Sequence, residues 1–176
     1  YKRQVLFLNM KKVILGATGS IGSTLAKKLV DSGEQVHLVG RDEASLSELA
    51  NELNSTFTTC DVLEENFSEK IINDLKDEQV NGLAYCVGSI DLKPLKLTKK
   101  SDFMQSFNLN LVSATEIIKS LADNLKASKG SIVLFSTVAV QQGFPNHAIV
   151  SSAKGAVEGL TLALAAEYAP NIRVNC

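Results

Sequence analysis

The chain has 176 residues, 45% hydrophobic and 21% charged, which is the size and composition of one ordinary globular domain. A formal net charge of -1 gives no electrostatic reason to expect a nucleic acid or an anionic membrane as partner. Cys60, Cys86 and Cys176 form no CxxC or cysteine–histidine cluster, so we expect no metal site and a reducing, cytoplasmic setting.

The segment YKRQVLFLN at 1–9 has basic residues and a short apolar patch but no small-residue cleavage site. We interpret it as a leader or upstream extension, followed by a single domain over 10–176. We expect no membrane-spanning segment, because no apolar run approaches the roughly 20 residues that cross a bilayer.

A glycine-rich turn follows the first predicted strand, KVIL at 12–15, and precedes a helix at about 21–32. Glycines in this setting allow a tight turn and close approach of the backbone to a pyrophosphate. The anion then lies on the free N–H groups of the helix N-terminus. The turn therefore predicts dinucleotide binding, and its candidate binding residues are Gly16, Thr18, Gly19, Ser20, Ile21 and Gly22.

The second predicted strand, QVHLV at 35–39, is followed by Gly40, Arg41 and a helix at 43–53. An acidic residue at this strand tip would favour NAD(H), whereas a nearby arginine accommodates a 2′-phosphate. Arg41 therefore favours NADP(H), with NAD(H) still possible. Asp42 is better explained as the N-cap of the helix.

The rest of the chain continues the alternation of strands and helices. We predict strands at 56–60, 81–87, 131–136 and 172–175, and helices at 64–77, 101–127 and 148–168. Repeated β-α-β units with right-handed crossovers give a doubly wound, Rossmann-like parallel sheet with helices on both faces.

The two longest predicted helices are apolar on more than one face, although a surface helix needs only one apolar stripe. We expect them to pack on the sheet and also on a partner subunit, giving a homodimer or homotetramer. A helix that is merely rich in alanine is the alternative.

Several segments, taken in order from Met10 to Cys176, resemble the short-chain dehydrogenase/reductase family. They include ILGATGSIGS, which has Ser20 where this branch commonly has glycine, then SIVLFST and AKGAVEGLTLALAAEYAPNIRVN. By this resemblance Asp61 and Val62 contact adenine. Cys86 and Gly88 stand where the family usually has Asn-Ala-Gly.

The resemblance also implies the catalytic positions, which are Asn110, Thr137, Val150 and Lys154. Thr137 can offer a hydroxyl to a substrate carbonyl, with Ser136 beside it as a substitute. Lys154 is expected to bind the nicotinamide ribose and to supply positive charge. Val150 stands where the family has its catalytic tyrosine.

The resemblance implies an NADP(H)-dependent oxidoreductase acting on a small-molecule carbonyl or alcohol. Because Val150 carries no acid-base group, a catalytically silent dinucleotide-binding or scaffold protein is the alternative. His147 is a weaker candidate for a substitute acid, and Tyr85 is better explained as a core residue. The family's chain continues beyond the IRVN strand, so we also expect the domain to be C-terminally incomplete.

Overall fold

A computed structural model describes residues 10–176 with the exception of residue 77, so the leader interpretation of 1–9 lies outside the described residues. The strands are β1 Lys11–Leu15, β2 Gln35–Gly40, β3 Thr56–Thr59, β4 Val80–Tyr85, β5 Ser131–Val133 and β6 Arg173–Asn175. The helices are α1 Ser20–Asp31, α2 Glu43–Leu53, α3 Phe67–Leu75, α4 Lys100–Phe107, α5 Ser113–Ala127, α6 Ala139–Gln142 and α7 Ala148–Tyr168.

Within these described residues the strands form one six-stranded sheet in the order β3-β2-β1-β4-β5-β6, with every pairing parallel. This order confirms the predicted doubly wound, Rossmann-like sheet. The order reverses between β1 and β4, and ligands of such sheets bind at this point, outside the carboxyl ends of the strands.

Two apolar cores cover the two faces of the sheet, because successive side chains of a strand point to opposite sides. Val13 and Leu15 of β1 belong to the core that packs under α3, α5 and α7. Ile14 between them belongs to the other core, under α1 and α2. All three side chains are fully buried, as expected for a central strand covered on both faces.

The predicted single helix over 101–127 is wrong in one respect. Residues 108–112 form a π-helical turn between α4 and α5, and the buried Asn110 lies in its middle. Such an insertion changes the direction of the helix at that point. The predicted strand at 131–136 is also too long, since the ladder ends at Val133.

The expectation that no apolar run approaches bilayer length is corrected by α7. This helix has 21 residues and a mean hydropathy of 1.3 over an 18-residue window, which is enough to cross a membrane by length and composition alone. One face is buried against the rest of the protein, through Ile149, Val150, Ala153, Val157 and Thr161.

Candidate functional site

A cleft of about 690 Å³ lies at the carboxyl ends of β1 to β4. It is bordered by the turn after β1, the tip of β2, the segment after β3 and the segment after β4. The cleft therefore occupies the position at which the strand order reverses.

The turn after β1 leaves no room for side chains at two of its glycines. Gly16 has a φ of +75°, and a Cβ there would lie 3.0 Å from the carbonyl carbon of Cys86. At Gly22 a Cβ would lie 2.2 Å from the carbonyl oxygen of Gly16. The sequence thus packs α1 tightly on β1 and β4, as the glycine pattern predicts.

The candidate binding residues of this turn occupy two positions relative to the cleft. Gly16, Thr18 and Gly19 line it. Ser20, Ile21 and Gly22 form the first turn of α1, and Gly19 is its N-cap without a side-chain hydrogen bond. An uncapped helix N-terminus has free N–H groups and a positive dipole end, which suit an anionic group.

The tips of β2 and β3 supply the charged end of the cleft. Arg41 Nη1 lies 3.5 Å from Asp61 Oδ2, and the Arg41 side chain is 75% exposed. Asp61 also accepts a hydrogen bond from the N–H of Leu63 at 3.0 Å, and Val62 is buried beside it. Asp42 accepts a hydrogen bond from the N–H of Ser45 at 2.8 Å, which confirms its predicted role as the N-cap of α2.

Cys86 and Gly88, which follow β4, form the floor of the cleft. The N–H of Cys86 donates to the Leu15 carbonyl at 2.9 Å and so extends the sheet by one residue. Burial raises the pKa of the Cys86 thiol to about 11, so it is a neutral side chain at ordinary pH.

Three of the predicted residues converge on one point. A Cβ placed on Gly88 would lie 2.9 Å from Asn110 Oδ1 and 3.2 Å from Lys154 Nζ. Glycine at position 88 therefore leaves the space that the amide and the ammonium share.

Asn110 is oriented by the π-helical turn. Its Nδ2 donates to the Ser106 carbonyl at 2.9 Å, which fixes the amide plane. Its Oδ1 is buried and has no hydrogen-bond partner among the described residues. An unpaired buried acceptor is costly, so this oxygen is available to a donor that enters the site.

Lys154 lies on α7, one turn after Val150, and is half-buried. Burial lowers the pKa of its ammonium, and a smaller coulombic effect of Cys176 opposes that shift. No ion pair formed among the described residues includes this lysine.

Thr137 is not among the residues that line the 690 Å³ cleft. Its Oγ1 accepts a hydrogen bond from the N–H of Ala139 at 3.3 Å, and it borders a second cavity of about 640 Å³. The neighbouring Ser136 hydroxyl donates to the Glu158 carboxylate in that second cavity. Sequence reasoning missed Glu158, whose only signal is its position one turn after Lys154.

None of the remaining candidate residues is placed to act as a catalytic acid or base. Val150 is only 2% exposed and is part of the core under α7. His147 immediately precedes α7, and its Nδ1 donates to the Pro145 carbonyl at 2.8 Å. The buried Tyr85 hydroxyl donates to the Leu109 carbonyl at 2.7 Å, which agrees with its interpretation as a core residue.

Residues 16–176 match a protein family described as Enoyl-(Acyl carrier protein) reductase. The chain is 32% identical over 169 residues to L-fucose dehydrogenase of Oryctolagus cuniculus, covering 93% of this chain and 60% of the relative. It is 31% identical over 171 residues to L-xylulose reductase of Bos taurus, covering 94% of this chain and 68% of the relative. The chain thus spans only part of the length of these relatives.

Solved structures agree with this relationship. A short chain dehydrogenase/reductase family protein superimposes with a TM-score of 0.88 at 26% identity, covering 94% of this chain and 72% of that one. L-sorbose reductase from Gluconobacter frateurii, solved with NADPH and L-sorbose, superimposes with a TM-score of 0.90. Its identity is 21% over 96% of this chain and 68% of that one, so it speaks for the fold alone.

Proposed function

The chain belongs to the short-chain dehydrogenase/reductase family, and from that premise we propose that it is an NADP(H)-dependent oxidoreductase acting on a small-molecule carbonyl or alcohol. The observation that carries this proposal is the meeting of Asn110 Oδ1 and Lys154 Nζ over Gly88, a residue that lines the cleft. A packing role does not require a buried amide oxygen without a partner next to a desolvated ammonium. A polar ligand between them would satisfy both groups.

The residues fit a nicotinamide dinucleotide at three points. Gly16 and Gly19 have no Cβ that would keep their backbone from a pyrophosphate, and the uncapped N-terminus of α1 can receive its charge. Asp61 and Val62 line the cleft and could contact an adenine bound there, and the Lys154 ammonium beside Gly88 could donate to ribose hydroxyls. When bound, such a cofactor supplies or accepts the hydride of a carbonyl/alcohol conversion.

Arg41 supports NADP(H) over NAD(H). Its guanidinium is largely exposed at the tip of β2, where it is free to turn towards a 2′-phosphate. The neighbouring Asp61 neutralises part of that charge, which keeps NAD(H) as the lesser alternative. Replacing Arg41 by alanine is expected to weaken NADPH binding about tenfold or more, with little effect on NADH.

Each side chain of the site has a limited task in this reaction. Lys154 provides positive charge beside the reacting oxygen, and Asn110 holds the polar network at the π-helical turn. Thr137 can offer its hydroxyl to the carbonyl if substrate binding draws it away from the N–H of Ala139. The buried Val150 contributes no proton.

Val150 also favours a second candidate function, which is a silent dinucleotide-binding or scaffold protein. A positioned acid or base is worth about 10²–10⁴ in rate, and position 150 cannot supply one. The cleft does not depend on residue 150, so cofactor binding would persist without turnover.

We further propose that the protein forms a homodimer or homotetramer in the cytoplasm. Leu162 of α7 is 74% exposed, and Met104 and Val112 add exposed apolar surface along α4 and the π-helical turn. These side chains could be buried by a second copy of the chain.

The test is a turnover assay with NADPH and a panel of small carbonyl compounds that includes ketopentoses and ketohexoses, because L-fucose dehydrogenase and L-xylulose reductase are both named for sugars. The unmodified protein is compared with Val150→Tyr and with His147→Ala. Turnover in the unmodified protein supports the oxidoreductase, and turnover only after tyrosine is restored supports the silent protein. Absence of NADPH binding would contradict both.

A further inference from the structure

Residue 150 is a valine and has no hydroxyl that could protonate a substrate oxygen. Val150 is 2% exposed, and its aliphatic side chain has no proton to release. Reduction of a carbonyl leaves an alkoxide, and its protonation needs a donor nearby. A group other than residue 150 must therefore supply the proton if the proposed reaction occurs.

The hydroxyl groups closest in sequence to position 150 are already engaged. Ser151 Oγ donates to the Ala139 carbonyl at 3.1 Å, and Ser152 Oγ donates to the Ala148 carbonyl at 2.8 Å. The aliphatic hydroxyl of a serine or threonine is also a very weak acid, so it can donate a hydrogen bond but does not release its proton.

His147 is an unsuitable donor for a geometric reason. A carbonyl oxygen can only accept, so the contact with Pro145 places the ring proton on Nδ1. The ring also packs against Phe144, with centroids 5.4 Å apart, just before the first turn of α7. It therefore faces its own loop.

Lys154 is the remaining candidate for the proton donor. Residues four apart lie on the same side of a helix, and helical side chains lean towards the N-terminus, so the lysine stem extends back over the turn that holds Val150. Its ammonium faces the unpaired Asn110 Oδ1 across the space left by Gly88. Among the described residues no carboxylate lies within ion-pair distance of it.

We propose that Lys154 itself is the proton donor of this protein, taking the task that a phenol performs elsewhere in the family. The inference rests on the proposed function, because it requires a carbonyl substrate and a reduced nicotinamide dinucleotide.

The step balances without a further reagent. The carbonyl carbon gains a hydride from the reduced dinucleotide, which is oxidised, and the carbonyl oxygen gains a proton from Lys154 Nζ. The electron pair of the broken N–H bond stays on nitrogen. The neutral amine then takes a proton from water and is ready for another cycle.

The surroundings of Lys154 support this role. Burial lowers the pKa of its ammonium, which brings the lysine closer to the range in which a general acid works at neutral pH. Among the described residues, Cys176 acts to raise the pKa of Lys154, and the Glu158 carboxylate, one turn further along α7, accepts a hydrogen bond from Ser136. Asn110 and Gly88 are neutral.

The first measurement needs neither cofactor nor substrate. The protein is labelled with ¹³C at the lysine Cε, and the signals are followed by NMR as the pH rises. The Lys154 signal, assigned by its absence in Lys154→Arg, is expected to titrate at lower pH than that of the surface residue Lys27. Titration together with the surface lysines would overturn the proposal.

The second measurement is the pH dependence of kcat/KM for NADPH-driven carbonyl reduction. In the unmodified protein the rate should fall as the pH rises through the value at which Lys154 titrates. Lys154→Arg keeps the charge but does not release a proton, so kcat should fall about 10²–10⁴-fold while NADPH still binds. Lys27→Arg is the matched control and should behave like the unmodified protein.

The outcomes separate the proposal from the proposed function. Turnover within threefold of normal in Lys154→Arg would overturn the proton-donor role and leave the oxidoreductase intact. NADPH binding without turnover at any pH would also overturn it and would favour the silent protein. Failure of the unmodified protein to bind NADPH would contradict the proposed function itself. Thermal melting of each variant establishes that it is folded.

Discussion

Acidification from pH 7 to pH 4 is expected to destabilise the protein through one buried histidine, His37 in β2. The side chain is 1% exposed and bridges β2 to β3 by two hydrogen bonds. Its Nδ1 lies 2.8 Å from Thr56 Oγ1, and its Nε2 lies 2.9 Å from Thr58 Oγ1. Protonation of the ring would disturb the contact at Nδ1.

The partners of the two threonines fix the tautomer of the ring. Thr58 donates its hydroxyl proton to Asp74 at 2.6 Å, so its oxygen accepts from Nε2–H of His37. Thr56 accepts from the ammonium of Lys11 at 2.7 Å, so it can give its own proton to Nδ1. The neutral ring is therefore satisfied at both nitrogens, and a second ring proton would compete with the Thr56 hydroxyl.

The magnitude follows from the shift in the pKa of His37. Burial, reinforced by the charge of Lys11, lowers this pKa from 6.5 to about 4, although Asp74 and Glu78 act in the opposite direction. The unfolded chain binds the proton first, so the stabilisation is complete above pH 6.5 and is lost as the pH falls from 6.5 to about 4. A shift of this size corresponds to about 3 kcal/mol in the free energy of unfolding.

The assay is urea unfolding at pH 7 and at pH 4, for the unmodified protein, His37→Gln and the control His147→Gln. Glutamine keeps hydrogen-bonding capacity but does not titrate. Between the two pH values the unmodified protein and the control should lose about 3 kcal/mol more than His37→Gln does. An equal loss in all three proteins would refute the reasoning, because other acidic groups would then explain the whole pH dependence.

Three further outcomes are expected. Gly22→Ala should lower the free energy of unfolding by more than about 2 kcal/mol and weaken NADPH binding, since the added Cβ would lie 2.2 Å from a backbone oxygen. The control Gly159→Ala, with open space around the added Cβ, should be neutral or stabilising in urea unfolding. Leu162→Asp should convert the homo-oligomer into a monomer, as measured by light scattering. An unmodified protein that is already monomeric at micromolar concentration would contradict the proposed interface. Iodoacetamide should modify the cleft thiol of Cys86 more slowly than the exposed thiol of Cys176 at pH 7.5, as followed by mass spectrometry. Bound NADPH should slow the modification of Cys86 further. Equal rates at the two cysteines would count against the burial of Cys86.

Much of the fold could be predicted from the sequence, because local patterns and the global architecture agree. The apolar strand QVHLV, the glycine turn and the cap at Asp42 each produce the expected element within a residue or two. A βα alternation of this kind leaves few sheet topologies open, and the observed order is among them.

The details of the candidate site were harder to predict from the sequence, for physical reasons. The segment NLNLV contains neither proline nor glycine, so nothing in its composition marks the π-helical turn that orients Asn110. The hydroxyl of Thr137 depends on loop geometry after β5, which residue spacing does not determine. The meeting of Gly88, Asn110 and Lys154 likewise brings together three segments that are distant in sequence and adjacent only in the folded chain.

The central claim is that the cleft between the β1 turn and the β3 tip holds NADP(H), and a fluorescence titration with NADPH tests it most directly. We expect saturable binding of one NADPH per chain, tighter than that of NADH, with the difference abolished in Arg41→Ala. Absence of saturable binding up to millimolar NADPH, in a protein whose thermal melting shows that it is folded, would contradict the account.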